Sequence, residues 1–458
     1  MQQDYYVEYY EELDRRLECF FSSSEIGRES AWLAGFQVKE PLVTFLFYRL
    51  TMERDNYNFY RRQGMSGESA MHRIDVFLNR IKTVSTIRGE EENDILIDIE
   101  QHPWKAQLKD YKGCVLFYVF NARQLYYFTP LLYRMNRPIV LLSEYDIPES
   151  TQLPEYVTYL YVKFSKQRIF ANRDFEVRFP VFFHYAHTFS ILLQLLRPTG
   201  VVCLEGCHYQ EQLLAVEAEY FNIPSYGIQQ GWPSMMRTGF RRMPFRYYYT
   251  WGERFSELWK KYNKNSEFLP VGYMYDVPDT NMAIKNSVSF FLQSPTYLSD
   301  NNYFNALLKL IEISADKFPN VRFLVREHPE YRLNEKIIRQ WNLKANVEIV
   351  SEHDLTEVYA NTRIVVSHYS SSLMEGLQYG CQPLVFDPTC NSRYYPDIEK
   401  EKMGKIARSK DEFIKCLETM LKETKWDYAN KLKWFSATGV ATLNAMVTHM
   451  NQTLKKYD

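Results

Sequence analysis

Apolar positions fall along this chain in two textures. Over the first ninety residues Tyr5, Tyr9, Leu13, Leu17 and Phe20 recur every three or four positions. That spacing stripes one face of a helix, so residues 1–90 are expected to form a helical N-terminal segment. The stripe suits a core face, and its amphipathic tyrosines also suit a membrane or partner face. From about residue 93 short apolar runs bounded by turn residues take over. Ile95–Ile99, Cys114–Phe120, Ile139–Leu142, Val157–Val162, Val201–Leu204 and Ser225–Ile228 read as strands, with helix-length segments such as Glu211–Phe221 between several of them. Strands alternating with helices predict a parallel sheet covered on both faces.

The alternation is interrupted by the basic, aromatic stretch "RRMPFRYYYTWGERF" and a Lys/Asn/Ser-rich stretch around 260–267. Polar shifts of this kind mark linkers, which places a domain boundary between about 232 and 285. A second alternation follows. Its strands are Val288–Leu292, Val321–Val325, Val347–Val350, Ile364–Ser367 and Pro383–Phe386; its helices are Tyr303–Ala315, Glu335–Trp341, Asp354–Ala360 and Ser371–Tyr379. Ser409-x-x-Glu412 is a capping box for a helix over Asp411–Leu421, and Lys431–Met450 reads as further helix. The expected organisation is a helical segment over 1–90 belonging to the first domain, a Rossmann-like domain over 91–250 and a linker over 251–285. A second Rossmann-like domain over 286–430 and a C-terminal helix over 431–458 complete it.

Length and composition agree with this picture and narrow the function. At 458 residues the chain exceeds one ordinary core. A hydrophobic content of 46% with 24% charged residues is globular. The net charge of −1 gives no electrostatic footprint for nucleic acid. Tyr and Phe are abundant, suiting either core burial or sugar stacking. The start, MQQDYYVEYYEELDRR, has neither a basic n-region nor an apolar h-region, and runs such as Val115–Phe120 are too short to cross a bilayer. Seven scattered cysteines suit a reducing compartment. A cytoplasmic protein is expected, with peripheral contact to the inner face of the cell membrane or to assembly partners left open. Cys203, Cys207 and His208 look like the start of a metal site but lack a second cysteine pair. Asp98-Ile-Glu100, the nearest approach to a metal-carboxylate motif, is expected to be structural. No metal and no cofactor are expected.

Candidate chemistry concentrates where strands end. In open α/β sheets ligands bind beyond the carboxyl ends of the strands. The strand Val321–Val325 leads into Arg326-Glu327-His328-Pro329-Glu330, and Ile364–Ser367 leads into His368-Tyr369-Ser370-Ser371-Ser372. Serines opening a helix offer hydroxyls and unpaired backbone N–H groups to an anion, most naturally a phosphate; an ordinary N-cap would need only one of them. Glu375 can fold back as a capping-box partner of Ser372, or accept two hydrogen bonds from a ribose. His328, with Arg326 before it, would add a donor or cation to the phosphate, and Pro329 would turn the chain away.

A His-Pro after one strand, and a serine cluster with Glu and Gly after a later one, resemble the donor-binding half of GT-B glycosyltransferases. The resemblance is nearest to bacterial enzymes that use CMP-activated acidic sugars, the sialic acid and Kdo transferases. "VVCLEGCH" supplies an acidic residue before Gly in the amino-terminal half. "YGIQQGWP", "YYYTWGERF" and "FLPVGYMYD" are similar to the interdomain segment of capsule and teichoic-acid transferases with CMP or CDP donors. The resemblance implies a GT-B fold, two Rossmann-like doubly wound domains facing a cleft. It implies a nucleotide-sugar-dependent glycosyltransferase building a surface polysaccharide or lipopolysaccharide, without a metal. Carried over, it makes Glu205 the catalytic carboxylate, with His208 in reserve. Arg326, His328, Pro329 and Ser370–Ser372 would hold the phosphate, Glu375 would hold the ribose, and Gln230 and Gly231 would line the cleft. The partners implied are a nucleotide-sugar donor and a glycan or glycolipid acceptor. UDP- or GDP-sugar and CDP-polyol donors, a sugar-nucleotide epimerase of the same fold, and a binding module without catalysis remain as alternatives.

Overall fold

The computed structural model describes residues 5–23, 32–33, 36–51, 72, 75–76, 78–79, 108–148, 151–162, 179–233, 238–277, 285–293, 301–328, 332–350, 355–368, 370–388, 397–423 and 431–455. By internal contacts the chain divides into two units. The first holds Tyr10–Gln230, Arg237–Tyr275 and Ser436–Asp458; the second holds Met1–Tyr9, Gly231–Met236 and Asp276–Phe435.

In chain order the elements begin with α1 (Tyr5–Ser23), the short antiparallel pair β1 (Trp32–Leu33) and β2 (Phe36–Gln37), and α2 (Lys39–Thr51). There follow β3 (Val115–Val119), α3 (Ala122–Met135), β4 (Ile139–Ser143), β5 (Val157–Tyr161), α4 (Phe179–Leu196), β6 (Gly200–Leu204) and α5 (Tyr209–Tyr220). Then come β7 (Ser225–Ile228), α6 (Thr238–Arg241), β8 (Tyr247–Thr250), α7 (Glu253–Lys260) and β9 (Glu267–Pro270). The seven strands β3 to β9 form one parallel sheet in the order β5-β4-β3-β6-β7-β8-β9. Strands β3, β4 and β6 are buried throughout, as continuous apolar runs require of strands covered on both faces. Of the N-terminal stripe, Leu13, Leu17 and Phe20 are buried, so that face of α1 is core. Arg242 is ion-paired to Asp14 at 3.3 Å and to Glu18 and Glu40, which ties α1 and α2 to the segment before β8.

The second unit continues with β10 (Ser287–Phe291), α8 (Asn301–Lys317), β11 (Arg322–Arg326), α9 (Glu335–Trp341), β12 (Val347–Val350), α10 (Leu355–Asn361) and β13 (Ile364–Ser367). It ends with α11 (Ser372–Gln378), β14 (Gln382–Phe386), β15 (Lys405–Ala407), α12 (Lys410–Lys422) and α13 (Lys431–Trp434). Its six strands are parallel in the order β12-β11-β10-β13-β14-β15. Each sheet runs outward one way from its first strand and then restarts beside that strand, the doubly wound order that opens a crevice where the direction reverses. The reversal lies between β3 and β6 in the first unit and between β10 and β13 in the second. At α12, Ser409 caps the helix by accepting from Glu412 N, while the Glu412 carboxylate accepts from Arg408 N.

The structure corrects three expectations. The span 251–285 is not a plain linker, because α7 and β9 extend the first sheet. Their polar positions are the exposed face of an edge helix and its turn, which composition alone reads as a connector. The basic, aromatic stretch likewise contains β8, an inner strand with Tyr248 and Tyr249 buried. The helix expected over Lys431–Met450 is two helices, α13 and α14 (Gly439–Leu454). Between them Ser436 N donates to Trp251 O, and Ala437 O takes the amide of Tyr273. Gly272, at φ +118, allows the approach, since a Cβ there would lie 2.3 Å from Ala437 O. The expected strand Ile95–Ile99, Asp98, Glu100 and Pro329 lie outside the described residues.

Candidate active site

In the second unit the serine cluster stands at the reversal point, directly after β13. Its three hydroxyls are not equivalent. Ser370 Oγ donates to Ser372 Oγ at 3.0 Å and accepts from Ser372 N at 3.2 Å. Ser372 hydrogen-bonds Tyr359, whose hydroxyl donates to Glu375 Oε2 at 3.2 Å. Two serines and a tyrosine thus form a chain that ends on a buried carboxylate. Burial, then the Glu375 charge, raises the Tyr359 pKa well above its ordinary value, so it stays a donor. Ser371 differs. Its Oγ accepts from Trp232 N at 2.9 Å, and a hydroxyl that accepts still has a proton to donate.

The N-cap of α11 is Ser371, without a side-chain cap bond. Glu375 is therefore the fourth helical residue and turns to Tyr359, not back to a cap amide. The capping-box reading of Ser372-x-x-Glu375 does not hold. Tyr359 is itself clamped between rings, with Phe291 stacked at 5.3 Å and Tyr379 at 5.0 Å.

The second expected cluster is partly structural. Arg326 Nη1 donates to Val350 O at 3.1 Å, joining the ends of β11 and β12, and burial lowers its pKa. Glu327 is buried and accepts from Leu333 N at 2.7 Å, which folds the loop after β11. His328 is half-buried in that loop. A residue without an assigned role in the sequence, His368, is wholly buried after β13. It stacks on Tyr303 at 4.7 Å, with Nε2 3.3 Å from Asp387 Oδ1 beyond β14. Its place two residues before the first serine of the cluster was the available signal.

In the first unit the loop after β6 also stands at a reversal point. Glu205 has φ +62, a left-handed conformation costly for a side chain with a Cβ, and Gly206 follows at φ +71. The turn is pinned by Glu205 N to Ile228 O at 2.7 Å and by Tyr248 Oη to Glu205 O at 2.8 Å. It brings together Glu205, Cys207 and His208, whose ligand-type atoms lie within 4.8 Å of one another. His208 Nδ1 lies 3.7 Å from Cys207 Sγ and 3.3 Å from Glu211 Oε2, and Glu211 is fully buried with Gln124 Nε2 3.0 Å from its other oxygen. Burial works against a charged His208, but Cys207 and Glu211 outweigh it and hold its pKa well above the ordinary imidazole value. Burial raises the Glu211 pKa. Cys203 is buried in β6 and is not part of this set. Gln230 follows β7 in the first unit, and Gly231 opens the segment that carries Trp232 to Ser371 in the second.

Residues 279–441 match the family model of the CDP-glycerol:poly(glycerophosphate) glycerophosphotransferases. The match takes in the serine loop, Tyr359, Glu375 and His368. No curated protein matches the sequence. Among solved structures the chain is similar to the wall teichoic acid polymerase TagF, with 11% identity over 80% of this chain and 98% of that one and a TM-score of 0.51. It is also similar to the UDP-GlcNAc 2-epimerases of Neisseria meningitidis (10% identity, 74% and 99% coverage, TM-score 0.51) and Methanocaldococcus jannaschii (11% identity, 74% and 99% coverage, TM-score 0.51). At these identities the likeness shows the fold, which is the expected GT-B class with two parallel-sheet α/β units. The family match bears out the expectation of a transferase-type enzyme. It gives no support to an acidic CMP-sugar donor.

Proposed function

We propose that this protein transfers a polyol-phosphate or sugar group from a cytidine-diphosphate-activated donor to a hydroxyl of a glycan or glycolipid acceptor. The match of residues 279–441 to the CDP-glycerol family carries this reading, because it falls on the unit that holds the serine cluster. In the proposal Ser371 donates to a donor phosphate and His328 adds a second donor. Ser370 and Ser372 stiffen the loop through Tyr359, and Glu375 accepts from the ribose. For a polyol-phosphate donor the acceptor oxygen attacks phosphorus, the P–O bond to CMP breaks, and CMP leaves. The acceptor proton must go to a base. Glu205 is assigned that role. Cys207 and Glu211 raise the His208 pKa, so it suits a cationic or acidic role better than that of a base. No metal is invoked in any step, so turnover is expected to survive EDTA; loss on chelation would direct attention to Glu205, Cys207 and His208.

Calorimetry with CMP, CDP, UDP and GDP tests the donor. Cytidine nucleotides should bind best, and Ser371→Ala should weaken them by about 1–3 kcal/mol, the worth of a hydrogen bond to a charged phosphate. Equal affinity for UDP would remove the cytidine assignment. Turnover is read as CMP released from CDP-glycerol, with CMP-activated acidic sugars and UDP-GlcNAc as comparisons. Glu205→Gln should cut it roughly a hundredfold or more and leave CDP affinity intact. Epimerised UDP-GlcNAc without group transfer would establish the epimerase alternative instead.

A further inference from the structure

We propose that the loop after β6 binds a divalent cation of the zinc type through Glu205, Cys207 and His208, and that the bound ion stops the transfer reaction. The binding goes beyond the transfer reading. Only the inhibition rests on that reading, because it requires Glu205 to be the base. In the sequence Cys207 and His208 stand near Cys203, which leaves a metal site short of ligands. The fold replaces Cys203 with Glu205. Among the described residues these three form the one group of His, Cys, Asp or Glu side chains able to hold a metal, their ligand atoms within 4.8 Å of one another. Tetrahedral zinc has bonds of about 2.0–2.3 Å, so its ligand atoms stand about 3.3–3.8 Å apart. Cys207 Sγ and His208 Nδ1, at 3.7 Å, already have that spacing. Glu205 is half-buried and can close on them by rotation about its side-chain bonds. Cys207 is buried, and the other two ligands open the set to solvent.

The loop is held from several sides. The left-handed conformations of Glu205 and Gly206 bring residues two and three positions apart together, and strain of this kind clusters at ligand clamps. Gln212 Nε2 donates to Gly206 O at 3.3 Å and to Gly239 O at 2.8 Å. Gly239 allows α6 to approach, since a Cβ there would lie 2.0 Å from Cys207 O. The His208 ring meets Phe120 edge-on at 4.9 Å, and Glu211 Oε2 lies 3.3 Å from its Nδ1. A carboxylate beside a metal-bound imidazole fixes the ring and strengthens it as a ligand. A thiolate and an imidazole select zinc or cobalt over magnesium and calcium, which take oxygen ligands. Ligation releases the thiol and imidazole protons to solvent. A carboxylate neutralised by the ion is a poor proton acceptor, so Glu205 cannot act as base while the ion is bound.

Calorimetry and absorption spectroscopy of the full chain, without donor, test the site. Zn2+ should bind and Mg2+ should not, and Co2+ should give the thiolate-to-cobalt band of a cysteine-bound ion. Cys207→Ser should abolish that band and weaken Zn2+ by about a hundredfold or more, the upper end of the loss for a mere orienting partner. His208→Gln should weaken Zn2+ and keep the band, which serves if Cys207→Ser does not fold. In turnover of CDP-glycerol, Zn2+ should inhibit the native chain with a midpoint near its calorimetric Kd, and EDTA should restore the rate. A native chain without the cobalt band, or a Cys207→Ser protein that binds Zn2+ as tightly, would overturn the site. Zn2+ bound with turnover unchanged or raised would overturn the inhibition and remove Glu205 as the base, leaving the cytidine assignment standing. If CDP-glycerol is not turned over at all, the transfer reading fails while the cobalt band still decides the site.

Discussion

At the scale of single residues, the loop after β6 combines strain with a coupled acid–base pair. Glu205 holds a positive φ, and His208 and Glu211 both take protons more readily in the folded chain than in the unfolded one. The sign of the pH dependence follows. Wherever the folded state binds more protons, stability falls as pH rises. The stabilisation from His208 is complete below its unfolded pKa of about 6.5 and is lost as pH climbs through the raised folded value. Burial of Glu211 acts in the same direction from about pH 4.5 upward. The unfolding temperature of the native chain should therefore drop from pH 6 toward pH 9 more than that of His208→Gln. Parallel curves for the two proteins would mean that His208 is not coupled to Glu211. The resemblance to GT-B transferases made Glu205 and His208 candidates, and they follow a parallel strand at its carboxyl end, where functional groups are delivered. The sequence could not show Glu211, because His208-x-x-Glu211 reads as the first turn of a helix until burial is known.

At the scale of elements, α10 and α11 are joined through side chains the sequence did not connect. Tyr359 on α10 links Ser372 to Glu375 on α11 and stacks between Phe291 and Tyr379. Tyr359→Phe keeps the stack and removes the hydroxyl from a buried chain. It should cost about 1–3 kcal/mol of stability, the penalty for leaving a buried acceptor without its partner. CDP affinity should fall with it, because Ser372 and Ser370 lose their anchor; unchanged affinity in calorimetry would mean that the chain only stabilises α11. Ten of the thirteen strands of the two sheets, β3 to β7 and β10 to β14, were legible to within a residue at each end, because parallel strands are short apolar runs. Strands β8, β9 and β15 were not. The helix α7 and strand β9 cover one side only, and their polar positions imitate a linker. The division of labour among Ser370, Ser371 and Ser372 was also hidden, since it depends on Trp232 and Tyr359, far away in sequence.

For the molecule as a whole, the chain lays down most of the first unit, then most of the second over Asp276–Phe435, and then returns to the first with Ser436–Asp458. The return is needed because the face of the first sheet that carries Val202, Leu204 and Tyr226 is otherwise incomplete. Leu443, Met446, Met450 and Leu454 of α14 supply its cover, and Tyr226 Oη meets Thr453 Oγ1 at 2.6 Å. A C-terminal helix was legible in the sequence, though not its break after Trp434; the unit it serves was not, because a helical pattern does not say what lies against it. The consequence is a separation of effects. Met446 and Met450 are buried in the first unit's core, whereas the residues proposed to hold the nucleotide lie in the second. Met446→Ala with Met450→Ala should lower the stability of the first unit, by about 2–5 kcal/mol for each buried methionine lost. Well below the unfolding transition, CDP should bind the double variant as tightly as it binds the native chain. A variant as stable as the native chain in urea unfolding would show that α14 does not complete that core. Lost CDP affinity in a folded variant would show that the nucleotide site depends on the first unit.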